Sequence, residues 1–147
     1  MNLVLFRTLA ALCALMIAGA SGVVVWLSIF DKSWLTYPNM PLPVLRTTVH
    51  AGEVVPLSVR RCNSGDTTRT YIISHSLVAI DGSQPEVVLP PITASAKRGC
   101  STVESRINIV PLSTPPGVYR IDGTTEINGW VRNFSLLWYS EPFKVVP

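Results

Sequence analysis

The chain has 147 residues, enough for about one domain, and is 48% hydrophobic with only 14% charged positions. That balance excludes an intrinsically disordered chain, which is charge-rich and poor in apolar residues. Twelve basic and nine acidic groups give a net charge of +3. Setting Arg7 aside leaves +2, with Arg60, Arg61 and Arg69 the only dense basic cluster and Lys97-Arg98 elsewhere, so no nucleic acid is expected as a partner.

The excess of apolar residues lies at the amino terminus, where residues 8–30 carry no charge (TLAALCALMIAGASGVVVWLSIF). As a helix this stretch is roughly 34 Å long, sufficient to cross a hydrocarbon core of about 30 Å. Residues 1–30 are therefore read as a signal-anchor transmembrane helix, with the lipid bilayer as partner of residues 8–30. Arg7 precedes the span, and Asp31 and Lys32 cancel after it. The positive-inside rule then leaves the amino terminus in the cytoplasm and residues 31–147 in the periplasm or outside the cell. Trp26 and Trp34 fall near the outer boundary, where amphipathic rings settle. The rival reading is a cleaved signal peptide, with Ala18-Gly19-Ala20 as an A-x-A-like site. The apolar run continues through Val23–Phe30, which favours the anchor. Ala10, Ala14, Ala18 and Gly22 recur at every fourth position, a spacing that lets two membrane helices approach closely. A homo-oligomer joined along that face is one expectation; a chance row in an Ala-rich helix is the other.

Residues 31–43 (DKSWLTYPNMPLP) carry three prolines within Pro38–Pro43 and read as a short, extended spacer. Residues 44–147 then show β-branched runs broken by Gly, Pro, Asn and Asp. The expected strands are 44–49, 53–62, 70–80, 86–89, 100–110, 117–127 and 130–145. The fold class is all-β: an antiparallel sandwich of about seven strands preceded by one transmembrane helix. Asn128-Gly129 suits a two-residue type I′ turn, which would pair Ile127 with Trp130 and Gly123 with Phe134. That register puts apolar residues on one face and mostly polar ones on the other. Arg132 is the misfit on the apolar face, near enough to the turn to reach solvent. Val131, Leu137 and Tyr139 leave an apolar strip on the opposite face, a candidate contact patch unless the fold covers it.

Cys13 lies in the span, leaving Cys62 and Cys100 in an oxidising compartment where a disulfide is the default. Cys62 ends one expected strand and Cys100 begins another, so antiparallel pairing brings the sulfurs together. The other readings are free thiols or a zinc site recruiting His50 and His75, for which no ligand spacing exists.

The order of strands, Pro116-Gly117-Val118-Tyr119 opening the penultimate strand, and Ser140–Val145 closing the last one resemble an immunoglobulin-like or fibronectin-III-like sandwich. The resemblance covers residues 44–146, and Tyr119 stands where such domains carry their corner tyrosine. It departs in having no Cys two residues after Tyr119 and no Trp in the usual place. The overall layout also resembles small membrane proteins encoded by tailed bacteriophages, which implies a component of a virion or of the infected cell's envelope.

Chemistry is sparse in the sequence. No G-x-S-x-G, H-E-x-x-H, Walker or G-x-G-x-x-G pattern occurs, so no catalytic residue, metal or cofactor is expected. His75 alternates with apolar residues and reads as a core or edge histidine. A periplasmic hydrolase using His50 or His75 is the least favoured alternative. The residues singled out for recognition are Arg60, Arg61, Asn63, Asp66 and Arg69, in and around a small polar loop after Cys62. The expected function is a non-catalytic, membrane-anchored structural or recognition module with a protein partner. A soluble binding module released by cleavage after Ala20 is the alternative.

Overall fold

The computed structural model describes residues 3–30, 32–129 and 132–147. One helix, α1 (Leu3–Phe30), is followed by β1 (Leu35–Thr36), β2 (Thr48–His50), β3 (Val54–Asn63), β4 (Arg69–Ala79) and β5 (Val87–Ala96). Then come β6 (Gly99–Ile109), β7 (Gly117–Asn128), β8 (Asn133–Tyr139) and β9 (Phe143–Val146). The chain divides into two compact units, one holding the helix and the other holding Ser33–Asn128 with Asn133–Pro147.

In the helical unit, Arg7–Leu27 has a mean hydropathy of 2.2 and none of it is buried. It is long and apolar enough to cross a membrane. Ala10, Ala14, Ala18 and Gly22 are all exposed, and so is the free thiol of Cys13. Ser21 donates its hydroxyl to the Ile17 carbonyl at 2.8 Å, which satisfies that hydroxyl within the helix.

The β unit has two sheets, one ordered β1-β3-β6 and the other β2-β9-β7-β4-β5, with β8 also paired to β7. One core joins them: Val55 and Leu57 from the smaller sheet pack in the same cluster as Tyr71, Leu77, Ile121 and Val145 from the larger. The expectation of about seven antiparallel strands is corrected in two respects. The described residues hold nine strands, and β2 runs parallel to β9. The run expected as one strand over 130–145 breaks at Ser140–Pro142. There Ser140 Oγ accepts the Ile121 amide at 2.9 Å, and Pro142 has no amide to continue the ladder. β5 runs past the expected 86–89 through Pro90 and Pro91. It is an edge strand, and a bulge between the Ile73↔Ile92 and His75↔Leu89 pairs absorbs the prolines.

The spacer assigned to 31–43 is also corrected. Trp34, Leu35 and Leu42 are buried in the core, β1 pairs with β3, and Leu42 exchanges backbone hydrogen bonds with Tyr139 and Glu141. Trp34 is thus a core residue and not an interfacial ring. Its indole donates to the Asn128 carbonyl at 3.1 Å. Hydrophobic burial outweighs the tendency of a proline-rich stretch to stay extended and solvated.

The last hairpin keeps its faces but not its turn. Ile127 pairs with Phe134 and Gly123 with Trp138, in place of the Ile127–Trp130 and Gly123–Phe134 pairs expected from a type I′ turn. Trp130 and Val131, to which the expected pairing and part of the apolar strip were assigned, lie outside the described residues. The slip is four residues, an even number, so the described side chains of β7 and β8 stay on their expected faces. Arg132 is exposed, as expected.

Candidate functional site

Cys62 and Cys100 face each other in the β3–β6 register and are joined by a disulfide, their Cα atoms 4.0 Å apart. The bond closes the sheet at the end that leads into the loop chosen for recognition. Most of that loop serves the fold. Asn63 is buried; its amide donates to the Thr67 and Ala96 carbonyls at 3.0 and 2.8 Å, and its oxygen accepts the Gly65 amide at 2.8 Å. Arg61 donates to the Tyr71 hydroxyl and lies over its ring. The Arg69 guanidinium lies 5.6 Å from the Trp34 ring centre. Arg60 and Asp66 remain exposed. Arg61, Asn63 and Arg69 therefore support the loop and core, which leaves Arg60 and Asp66 as the exposed charges beside them. Polar side chains in a short loop satisfy buried backbone groups before they meet a partner.

A broader surface lies on the outer face of the larger sheet. Strand alternation sends Ser74, Ser76, Arg120, Asp122, Leu137 and Tyr139 to that face. Across it, Val88, Ser76, Asp122 and Tyr139 form one row of cross-strand neighbours, spanning roughly 14 Å at about 4.8 Å per strand. The row crosses an open groove of about 550 Å³. Leu137 and Tyr139 are 73% and 46% exposed, so the fold leaves this part of the apolar strip uncovered, and Val88, 78% exposed, extends it on β5. Arg120 Nε lies 2.8 Å from Asp122 Oδ1, and the guanidinium stacks over Tyr139 at 5.8 Å. These contacts hold Arg120 and Asp122 against each other, so a paired charge lies between the exposed apolar side chains at the two ends of the row.

His75 lies at the floor of the groove, opposite Gly123 in register. It is buried, and neither ring nitrogen has a hydrogen-bond partner among the described residues. Burial pushes its pKa below the ordinary histidine value. Ser74 and Ser76 flank it in β4, so alternation sends their hydroxyls to the opposite side of the sheet from the imidazole. His50, on edge strand β2, is exposed and lies 3.5 Å from Glu53. Two strands, β9 and β7, separate the strands that carry the two histidines. No hydrolytic pair forms between them. Among the described residues no group of three or more His, Cys, Asp or Glu side chains is placed to hold a metal ion.

A second concavity, which the sequence reading missed, opens between the two sheets. It is a slot of about 220 Å³ bounded by β3 and β6 on one side and β4 and β5 on the other. Asn108 lines it because of a bulge: Leu57 pairs with Ser105 but Val55 with Asn108, so β6 carries an extra residue between these positions. Inward positions therefore change from 103 and 105 to 108 and 110, a shift that no alternation pattern reveals.

No family model matches the chain, and no curated protein matches it. Among solved structures it is similar to an alkylpurine DNA glycosylase of Pseudomonas fluorescens bound to DNA containing an abasic site analog. That match has 14% identity and a TM-score of 0.47, covering 82% of this chain and 33% of the other. A mutant β-glucosidase of Listeria innocua matches at 14% identity and a TM-score of 0.39, over 80% of this chain and 16% of that one. A superoxide reductase of Ignicoccus hospitalis matches at 14% identity and a TM-score of 0.31, over 82% and 86% of the two chains. The chain spans a third or less of the first two proteins, and none of the three likenesses carries a functional argument.

Proposed function

We propose that the protein is a bitopic, non-catalytic module that holds a disulfide-bonded β domain at the outer surface of a membrane and recognises a protein partner there. The observation that carries this reading is the wholly exposed, uncharged helical stretch within Arg7–Leu27, directly preceding a β unit closed by the Cys62–Cys100 bond. An exposed apolar helix needs lipid around it, and a disulfide belongs to an oxidising compartment. The amino terminus is cytoplasmic, from Arg7, and the β unit periplasmic or extracellular. The groove along Val88, Leu137 and Tyr139 is the recognition surface, since exposed apolar ground rimmed by polar groups marks interaction sites. The face bearing Ala10, Ala14, Ala18 and Gly22 is offered as the contact for a second copy.

The domain is immunoglobulin-like in this reading. Support comes from strand order: β1-β3-β6 corresponds to A-B-E, and β9-β7-β4-β5 to G-F-C-C′. Tyr119 adds to it by donating its hydroxyl to the Pro115 carbonyl at 2.9 Å, the contact of a tyrosine corner. The disulfide differs, joining neighbouring strands within one sheet. The layout of anchor and single domain is also the basis for reading the protein as phage-encoded and carried in a virion or an altered envelope.

The test is affinity capture of the full-length protein from its native membranes or particles, with mass spectrometry of the intact chain. An uncleaved chain arriving with a stoichiometric protein partner is the expected result. A chain that begins at Ser21 and arrives alone would replace the anchor with a secreted binding module.

A further inference from the structure

We propose that the slot between the two sheets binds a small carboxylate with an apolar body. This goes beyond the anchored-module reading and does not depend on it. The walls are apolar: Leu57, Val59 and Val103 on one sheet face Ile73, Ile92 and Ala94 on the other. From Leu57 to Arg61 the slot follows four residues of β3, about 13 Å at about 3.3 Å per residue. Its volume of about 220 Å³ is far above the roughly 10–15 Å³ that one ordered water requires. It is also below the about 300–1,000 Å³ of sites for drug-sized molecules, so the occupant is small.

The polar groups along this slot are unusual for a core. Asn108 is 1% exposed, yet neither its amide nitrogen nor its oxygen has a partner among the described residues. Leaving a buried amide unsatisfied is costly, and cores rarely do so without water or a ligand to complete the bonding. Arg61 lines the slot and supplies its formal charge; none of the lining residues is acidic. Its Nε is buried without a partner, and none of the ion pairs among the described residues includes it. Tyr71 accepts a hydrogen bond from Arg61, and its hydroxyl also meets that of Tyr37, so it fixes the guanidinium at the slot. A carboxylate matches this set: it accepts a hydrogen bond from the unpartnered Arg61 Nε and balances the guanidinium charge, while its hydrocarbon part covers the apolar walls. Tyr37 and Trp138 also line the slot, but their polar atoms are already engaged at the Thr125 hydroxyl, at 2.9 and 3.1 Å. Asn108 is then left to bond the far end of the occupant or a water held with it.

The experiment uses the full chain in lipid nanodiscs, with hexanoate as the anionic probe, hexanol as its neutral counterpart and empty nanodiscs as the blank. Calorimetry and saturation-transfer NMR read the binding. Saturable one-to-one hexanoate binding is expected, weakened about tenfold in Arg61→Gln and retained in Arg61→Lys. Hexanol should respond to neither change. Ala94→Phe fills the slot from β5 while leaving Arg61 and Asn108 in the sequence, and should abolish hexanoate binding while thermal melting remains cooperative. Hexanoate uptake no greater than that of empty nanodiscs overturns the proposal. So does binding that survives both Arg61→Gln and Ala94→Phe unchanged. A rise in melting temperature for Asn108→Leu in a wild-type chain that takes no hexanoate would mean the slot holds water only.

Discussion

Gly123 lies directly against the indole of Trp138: a Cβ built on the glycine would meet the ring at 2.2 Å. The two residues are register partners on β7 and β8, and the ring fills the space the missing side chain leaves. Trp138 is in turn held by its bond to Thr125, which opposes displacement of the ring. Gly123→Ala should therefore destabilise the β unit by about 1–3 kcal/mol, the usual penalty for overpacking. Equilibrium urea unfolding of the full chain measures it. Adding Trp138→Leu to Gly123→Ala should cost less than the two single changes combined, because the second change removes the clash.

Reduction of the Cys62–Cys100 bond should lower the melting temperature. The bridge spans a sequence separation of 38, and a loop of that size is worth roughly 3–4 kcal/mol in the chain-entropy account. Differential scanning calorimetry with and without a reductant tests this. Unchanged melting would show that the strand pairing holds the sulfurs together without help from the bond.

Asn63 and Asp66 lie three residues apart, and opposite outcomes are expected for them. Asn63→Ala strips partners from two carbonyls and one amide at a buried position, and should cost about 2–3 kcal/mol. Asp66 is exposed, and Asp66→Ala should stay within about 0.5 kcal/mol of the parent. Urea midpoints of the two variants decide the matter. Equal effects would remove Asn63 from its place as the loop's organiser.

His75 should make stability depend on pH in a defined window. Burial lowers its folded-state pKa below the ordinary value of 6.5, so the unfolded chain takes up the proton first. Stability is therefore full above about pH 6.5 and falls as the pH drops from there through the folded-state value. The exposed carboxylates of Glu53 and Asp81 are held low by hydrogen bonds, chiefly from the His50 amide and from Ser83, and act only in more acidic solution. His75→Phe should flatten the upper window and leave the acidic one in place. Unfolding midpoints followed between about pH 7 and pH 4 provide the check.

The residues that repeat or alternate announced themselves in the sequence. The uncharged run after Arg7 dictates a membrane-length helix, because such a stretch has no other low-energy way to satisfy its backbone in lipid. Alternation in β7 and β8 dictates which side chains face the core, and that result survived a four-residue error in the turn because side-chain direction has a period of two. The cysteine pairing was legible too, since both lie at strand ends that antiparallel pairing brings together.

What the tertiary structure decided lies where the chain departs from periodicity or where distant segments compete for the same surface. Trp34 and Leu42 join the core through contacts with segments distant in the sequence, which local composition rich in proline does not express. Pro90 and Pro91 lie within a strand because β5 happens to be an edge. Asn108 reaches the intersheet slot through a bulge of one residue, and Arg61 turns from a loop-side cation into a lining residue because Tyr71 stands across from it. Patterns of two and of three and a half are properties of one segment. Register shifts, edges and cavities are properties of pairs of segments, and their energies are set only once both partners are in place.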